Sequence, residues 1–168
     1  MGTNKEPMKE LAHEITYRRY IIAKNDARLM FSELNIAEFI VLHYICERNE
    51  NDSIYSGKIY LSDISEKLNV PIRKVSKLIR EMSGKNLLNW NHDGDGNDGT
   101  YVTITEHGTK VYEETDNRLR DFYSKVMEKF GKEKMIQLLQ LMKEFDSVMR
   151  TELEQIEDSM EETNETIE

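Results

Sequence analysis

The clearest chemical signal in this chain is a set of polar and cationic side chains at Arg73, Lys74, Ser76, Lys77 and Arg80. At about 100° per helical residue, Arg73, Ser76, Lys77 and Arg80 share one arc, with Lys74 at its edge. Ile72, Val75, Leu78, Ile79 and Met82 share the opposite arc. Set against Glu81, the four cations leave a local charge of +3 in a chain whose net charge is −9. Such groups attract phosphates, and arginine and serine can also hydrogen-bond to base edges. Ser62 and Lys85 flank the stretch as further candidates for phosphate contact. Taken alone, the pattern equally suits a short helical hairpin with a solvated charged face.

The surrounding residues show how these side chains would be positioned. The stretch LSDISEKLNVPIRKVSKLIREMSGKNLL, residues 61–88, reads as two helices joined by a tight turn. Ser62 is a suitable N-cap, and Asp63 places negative charge at the helix start. Leu61, Ile64 and Leu68 make one apolar face. Asn69 can adopt the left-handed conformation that ends a helix, and Pro71 suits the first position of the next, which runs from about Pro71 to Ser83. Leu88 to Asn91 is a strand candidate. HDGDGNDG is a glycine-rich loop, and TYVTI alternates as a strand does. KIYL at 58–61 is a candidate third strand, and Thr105 is an N-cap for a long helix. A hairpin directly after a basic second helix makes a winged helix–turn–helix, in which that helix enters a DNA major groove.

On these residues, together with ITEHG and NIAEFIVLHYI at 35–45, the chain resembles the MarR family of bacterial transcription regulators. The resemblance covers residues 35–110 by motif and the flanking helices by order and length. It implies a homodimer that reads an inverted-repeat operator in double-stranded DNA as a regulator, most simply a repressor. It also implies release by a small aromatic or anionic effector bound between the dimer helices and the wing domain. Tyr17, Tyr20, Arg18, Arg19 and Phe31 are the pocket candidates, with dimer-interface packing as the alternative role for each. Two departures stand out. Family wings carry an arginine that reaches the minor groove, yet residues 91–100 hold three aspartates and neither Lys nor Arg. Asn86 also stands where relatives have glycine, a turn that asparagine tolerates.

The acidic total does not argue against nucleic acid, because its distribution is uneven. Residues 151–168 contribute −8 of the −9, with no Lys or Arg. Charged residues make up 33% and aromatics 8%, a helix-rich composition. No run of roughly 18 apolar residues suggests a membrane span. Residues 1–10 show no secretory pattern, and one cysteine excludes an internal disulfide framework, so the expected compartment is the cytoplasm.

No phosphate loop, nucleophile elbow or HExxH pair is present, so no enzyme and no cofactor is expected. His13, His43, His92 and His107 are scattered, and His43 on an apolar helix reads as a satisfied core residue. Cys46 lies late in its helix, where the dipole does not activate a thiol, and reads as packing. Asp93 to Gly99 superficially resembles a calcium loop. It places Asp98 where the EF-hand needs Gly and Ile104 where it needs Glu.

The expected fold is mainly α with a small β-hairpin wing, flanked by long N- and C-terminal dimerisation helices. Residues 1–34 form the N-terminal dimerisation helix, 35–104 the winged helix–turn–helix and 105–160 the C-terminal dimerisation helices; 161–168 form a frayed acidic tail. Met8, Leu11 and Ile15 begin one apolar stripe, Val111, Leu119 and Phe122 mark a second, and Met135, Leu139 and Met142 a third. Such stripes need a partner surface, which a second copy supplies. The alternative function is a winged-helix protein-interaction module that has lost specific DNA binding, a reading favoured by the acidic loop and tail.

Overall fold

The computed structural model describes residues 5–31, 33–51, 58–92 and 99–165. The wing-tip loop from Asp93 to Asp98, and with it the calcium-loop comparison, lies outside them. So do residues 166–168 and the side chains of residues 5–7, 9, 23–30, 49–51 and 158–165. The elements run α1 (Lys5–Met30), α2 (Ile36–Asn51), β1 (Ile59–Tyr60), α3 (Leu61–Leu68), α4 (Ile72–Gly84), β2 (Leu88–His92), β3 (Thr100–Ile104), α5 (Glu106–Phe130) and α6 (Lys132–Glu165). The fold is therefore mainly helical with a small antiparallel sheet, as the residue pattern predicts.

Local chemistry sets most of these boundaries. Asn35 Oδ1 accepts the Glu38 N–H at 3.0 Å, and Glu38 Oε2 accepts the Asn35 N–H at 2.8 Å. This reciprocal box starts α2. Asn35→Ala should therefore lower stability by about 1 kcal/mol. An unchanged denaturation midpoint would remove the box from the account. Thr105 Oγ1 accepts the Gly108 N–H at 2.9 Å and caps the start of α5, without a reciprocal bond.

Ser62 is not the N-cap of α3. The helix begins earlier, with Tyr60 as the flanking residue, and Asp63 Oδ2 accepts the Tyr60 N–H at 3.2 Å. Asn69 ends α3 at φ 51°, and Asn86 takes φ 58° in the turn after α4. Both are side chains that tolerate the left-handed region. Gly131, at φ +99°, separates α5 from α6.

The sheet order is β1-β3-β2, with both pairs antiparallel. Ile59 pairs with Val102, and Val102 with Trp90. That register puts Ile59 and Val102 on the inward face, where they are buried, and Tyr60 and Tyr101 on the other. Leu42 and Ile45 of α2, Ile64 of α3, Val75, Ile79 and Met82 of α4, and Leu88 of β2 complete one core.

Packing divides the chain into two units, Met1–Leu119 and Arg120–Glu168. The division falls inside α5 because its first half belongs to the core: Val111 and Thr115 are buried, while most residues beyond Leu119 are exposed. In the second unit α6 extends to Glu165, so residues 161–165 continue the helix where fraying was expected from their composition. Among the described residues, no helix is long and apolar enough to cross a membrane.

Candidate nucleic-acid interface

The turn between α3 and α4 is tightly specified. The Asn69 N–H donates to the Glu66 carbonyl and the Val70 N–H to the Ser65 carbonyl, each at 3.1 Å. Ser65 Oγ donates to the Val70 carbonyl at 2.6 Å. Pro71 then leads into α4 without a side-chain cap. A shallow groove runs along this turn, lined by Ser62, Glu66, Asn69, Pro71 and Ile72 among others.

α4 presents two chemically different sides. Val75, Ile79 and Met82 are fully buried and fix the helix on the core. Arg73, Lys74, Lys77 and Arg80 are exposed, and Ser76 is half-buried. Ser76 Oγ donates to the Ile72 carbonyl at 3.0 Å, which leaves its lone pairs able to accept. Lys77 Nζ lies 3.9 Å from Glu81 Oε1, with the two side chains 80% and 54% exposed. A contact that long and solvated does not immobilise the lysine. The structure thus brings Arg73, Lys74, Ser76, Lys77 and Arg80 together on one helix, with Ser62 nearby on the groove.

Lys85 is placed differently. Its Nζ lies 2.7 Å from Glu38 Oε1 and 2.9 Å from Oε2, on the side of α4 that faces the start of α2.

Ile72 also differs from its sequence assignment to the buried arc. It is 54% exposed beside Arg73, because the first turn of α4 overhangs the groove instead of the core. An exposed isoleucine there can pack on a thymine methyl group. Helical periodicity alone could not separate it from Val75 and Ile79.

Of the pocket candidates, Tyr17, Tyr20, Arg18 and Arg19 are exposed along α1. Arg18 Nε pairs with Glu14 at 2.6 Å, and its guanidinium lies 5.9 Å from the Tyr17 ring centre. Phe31 belongs to a different group. Its ring meets Phe39 edge-on at 5.6 Å. Phe39 stacks against His43 and against Tyr112 of α5, at 6.1 and 5.6 Å. His43 Nδ1 lies 2.9 Å from the Tyr112 hydroxyl. His43 is exposed, so it is satisfied by a tyrosine at the surface and is not a core residue. The spacing of Phe39 and His43 one turn apart was visible in sequence; Tyr112 was not. Cys46 is partly buried, in keeping with a packing role. Among the described residues, no group of His, Cys, Asp or Glu could hold a metal ion.

No protein-family model matches the chain, and no curated protein matches it in sequence. Solved structures do match. A MarR family regulator from Neisseria meningitidis is 19% identical, with a TM-score of 0.62 over 89% of this chain and 98% of that one. An organohalide-sensing transcriptional regulator, solved with 2,4-dichlorophenol bound, is 17% identical, with a TM-score of 0.67 over 86% and 85%. The PcaV regulator from Streptomyces coelicolor, solved with its natural ligand, is 12% identical, with a TM-score of 0.62 over 85% and 93%. At these identities the likeness is one of fold: the chain has the winged-helix fold of the MarR-type transcription regulators.

Proposed function

We propose that the protein is a homodimeric transcription regulator that binds an inverted-repeat operator in double-stranded DNA. The observation that carries this reading is the exposed basic face of α4 on the second helix of a helix–turn–helix, backed by the wing sheet. In this arrangement Arg73, Ser76 and Lys77 read base edges, with Ile72 beside them, while Lys74, Arg80 and Ser62 contact phosphates. Repression follows most simply, by occupancy of the operator. Residues 35–104 form the reading domain and residues 1–34 and 105–160 supply the dimerisation helices.

A second copy covers the apolar side chains left in water. Met8, Leu11 and Ile22 are exposed on α1, Phe122 and Phe130 on α5, and Leu139, Met142, Phe145 and Ile156 on α6. Large apolar side chains left in water along a helix are candidates for association. Two-fold association also places two copies of α4 at half-sites about one DNA turn apart. Two of the similar proteins were solved with small molecules bound. The Phe31–Phe39–His43–Tyr112 group, with Tyr17, Tyr20, Arg18 and Arg19 of α1 as further candidates, would take a small aromatic or anionic effector here.

The test is selection of binding sites from a random duplex pool at near-physiological salt, with the particle mass measured by light scattering. An enriched inverted repeat and a dimeric mass are the expected result. A dimer that enriches nothing would favour the interaction-module reading, and a monomer would remove the two-fold arrangement.

A further inference from the structure

We propose that Glu38 and Lys85 form a positioning pair that sets how α4 is presented, so that Lys85 acts through Glu38 and not on a phosphate. The proposal rests on the DNA-binding reading of α4. Glu38 belongs to the first turn of α2 and is 1% exposed. An ionised carboxylate this deep needs partners. It has the Asn35 N–H at 2.8 Å, and the Lys85 ammonium at 2.7 and 2.9 Å from its two oxygens. The Glu33 carbonyl lies 3.4 Å from the same Nζ. The three oxygens nearest the ammonium thus all lie at the corner between α1 and α2. Although the Lys85 side chain is 47% exposed, its charge is committed to a buried partner.

Position in the chain gives this pair its leverage. Lys85 is the C-cap of α4, and its backbone N–H donates to the Glu81 carbonyl. The next residues turn sharply: the Asn86 N–H donates to the Ser83 carbonyl at 2.9 Å, and the Leu87 N–H to the Met82 carbonyl at 3.0 Å. Thr105 Oγ1 donates to the Asn86 carbonyl from the far side at 2.6 Å. The ion pair therefore anchors the end of α4 from which β2 departs. Without it, the buried side of α4 still has Val75, Ile79 and Met82, and the turn still has its bonds from Thr105, but the tie from the end of α4 to the first turn of α2 is lost. Glu38 also precedes Phe39, so the anchor adjoins the aromatic group through adjacent residues of one helix.

The experiment compares Lys85→Met, Glu38→Gln and the double variant in the full-length protein, binding the selected operator at a temperature where each is folded by circular dichroism. A positioning pair predicts that either single change weakens specific binding by about tenfold. The double variant should be no weaker than the worse single, and the slope of log affinity against log salt should not change. A phosphate contact predicts a slope reduced by about 0.9 in Lys85→Met alone, with Glu38→Gln near wild type; that result overturns the proposal. Unaltered affinity in both single variants also overturns it. Hydrogen exchange provides a readout that needs no DNA. The amides of Lys85, Asn86 and Leu87 should exchange faster in Lys85→Met, by about tenfold, while those at the Asn69 turn do not. Exchange at wild-type rates would sink the pair even if no operator is found, whereas faster exchange without DNA binding would fault the function and leave the pair.

Discussion

Gly108→Ala should lower stability by about 3 kcal/mol and the melting temperature by on the order of 10 °C. A Cβ at this position would be driven into the Leu87 carbonyl oxygen and would lie 3.0 Å from Ile104 Cγ1. Neither neighbour is the yielding end of a flexible side chain. The Leu87 carbonyl accepts the Thr105 N–H at 3.1 Å, and Thr105 in turn holds the Asn86 carbonyl. Relief of the clash would need the first turn of α5 to leave the α4–β2 turn, breaking both bonds. Gly84 is the control: nothing lies within 4 Å of a Cβ there, so Gly84→Ala should be neutral or slightly stabilising. Equal melting temperatures for Gly108→Ala and wild type would show that the close approach is not structural. The glycine of ITEHG is thus explained by contact distance and not by backbone conformation.

Arg73→Ala and Lys77→Ala should each weaken specific operator binding by about 1–3 kcal/mol, with the larger loss wherever a bidentate base contact is removed. Both side chains are exposed on the face of α4 away from the core, so the melting temperature should stay near that of wild type. This separates the two experiments: Gly108→Ala changes folding, whereas Arg73→Ala and Lys77→Ala change recognition by a folded protein. A side chain that touches only phosphate should lose affinity uniformly across sequences and reduce the salt slope by about one. Undiminished affinity in both variants would take α4 out of the DNA interface.

The sequence by itself determined the order of the elements and several of their ends, because those depend on neighbours a few residues apart. The Asn35–Glu38 box, the Thr105 cap, the left-handed Asn69 and Asn86, and the break at Gly131 each act within about one helical turn. The alternation of TYVTI likewise marked it as a strand, while the pairing with β1 and β2 decided that Val102 faces inward. The basic arc of α4 was legible for the same reason: a helix of known period puts Arg73, Ser76, Lys77 and Arg80 on one side, whatever packs on the other.

Tertiary structure decided what depends on residues brought from far along the chain. Lys85 meets Glu38 across 47 positions, and His43 meets Tyr112 across 69. No local periodicity encodes such distances. Ile72 illustrates the limit within a single element: the period that buries Val75 and Ile79 assigns Ile72 to the same face, yet the core ends before the helix does and leaves it in water. The helical period tells which side of α4 a residue occupies. Only the packing of α2, α3 and the sheet around that helix determines where along its length that side is covered.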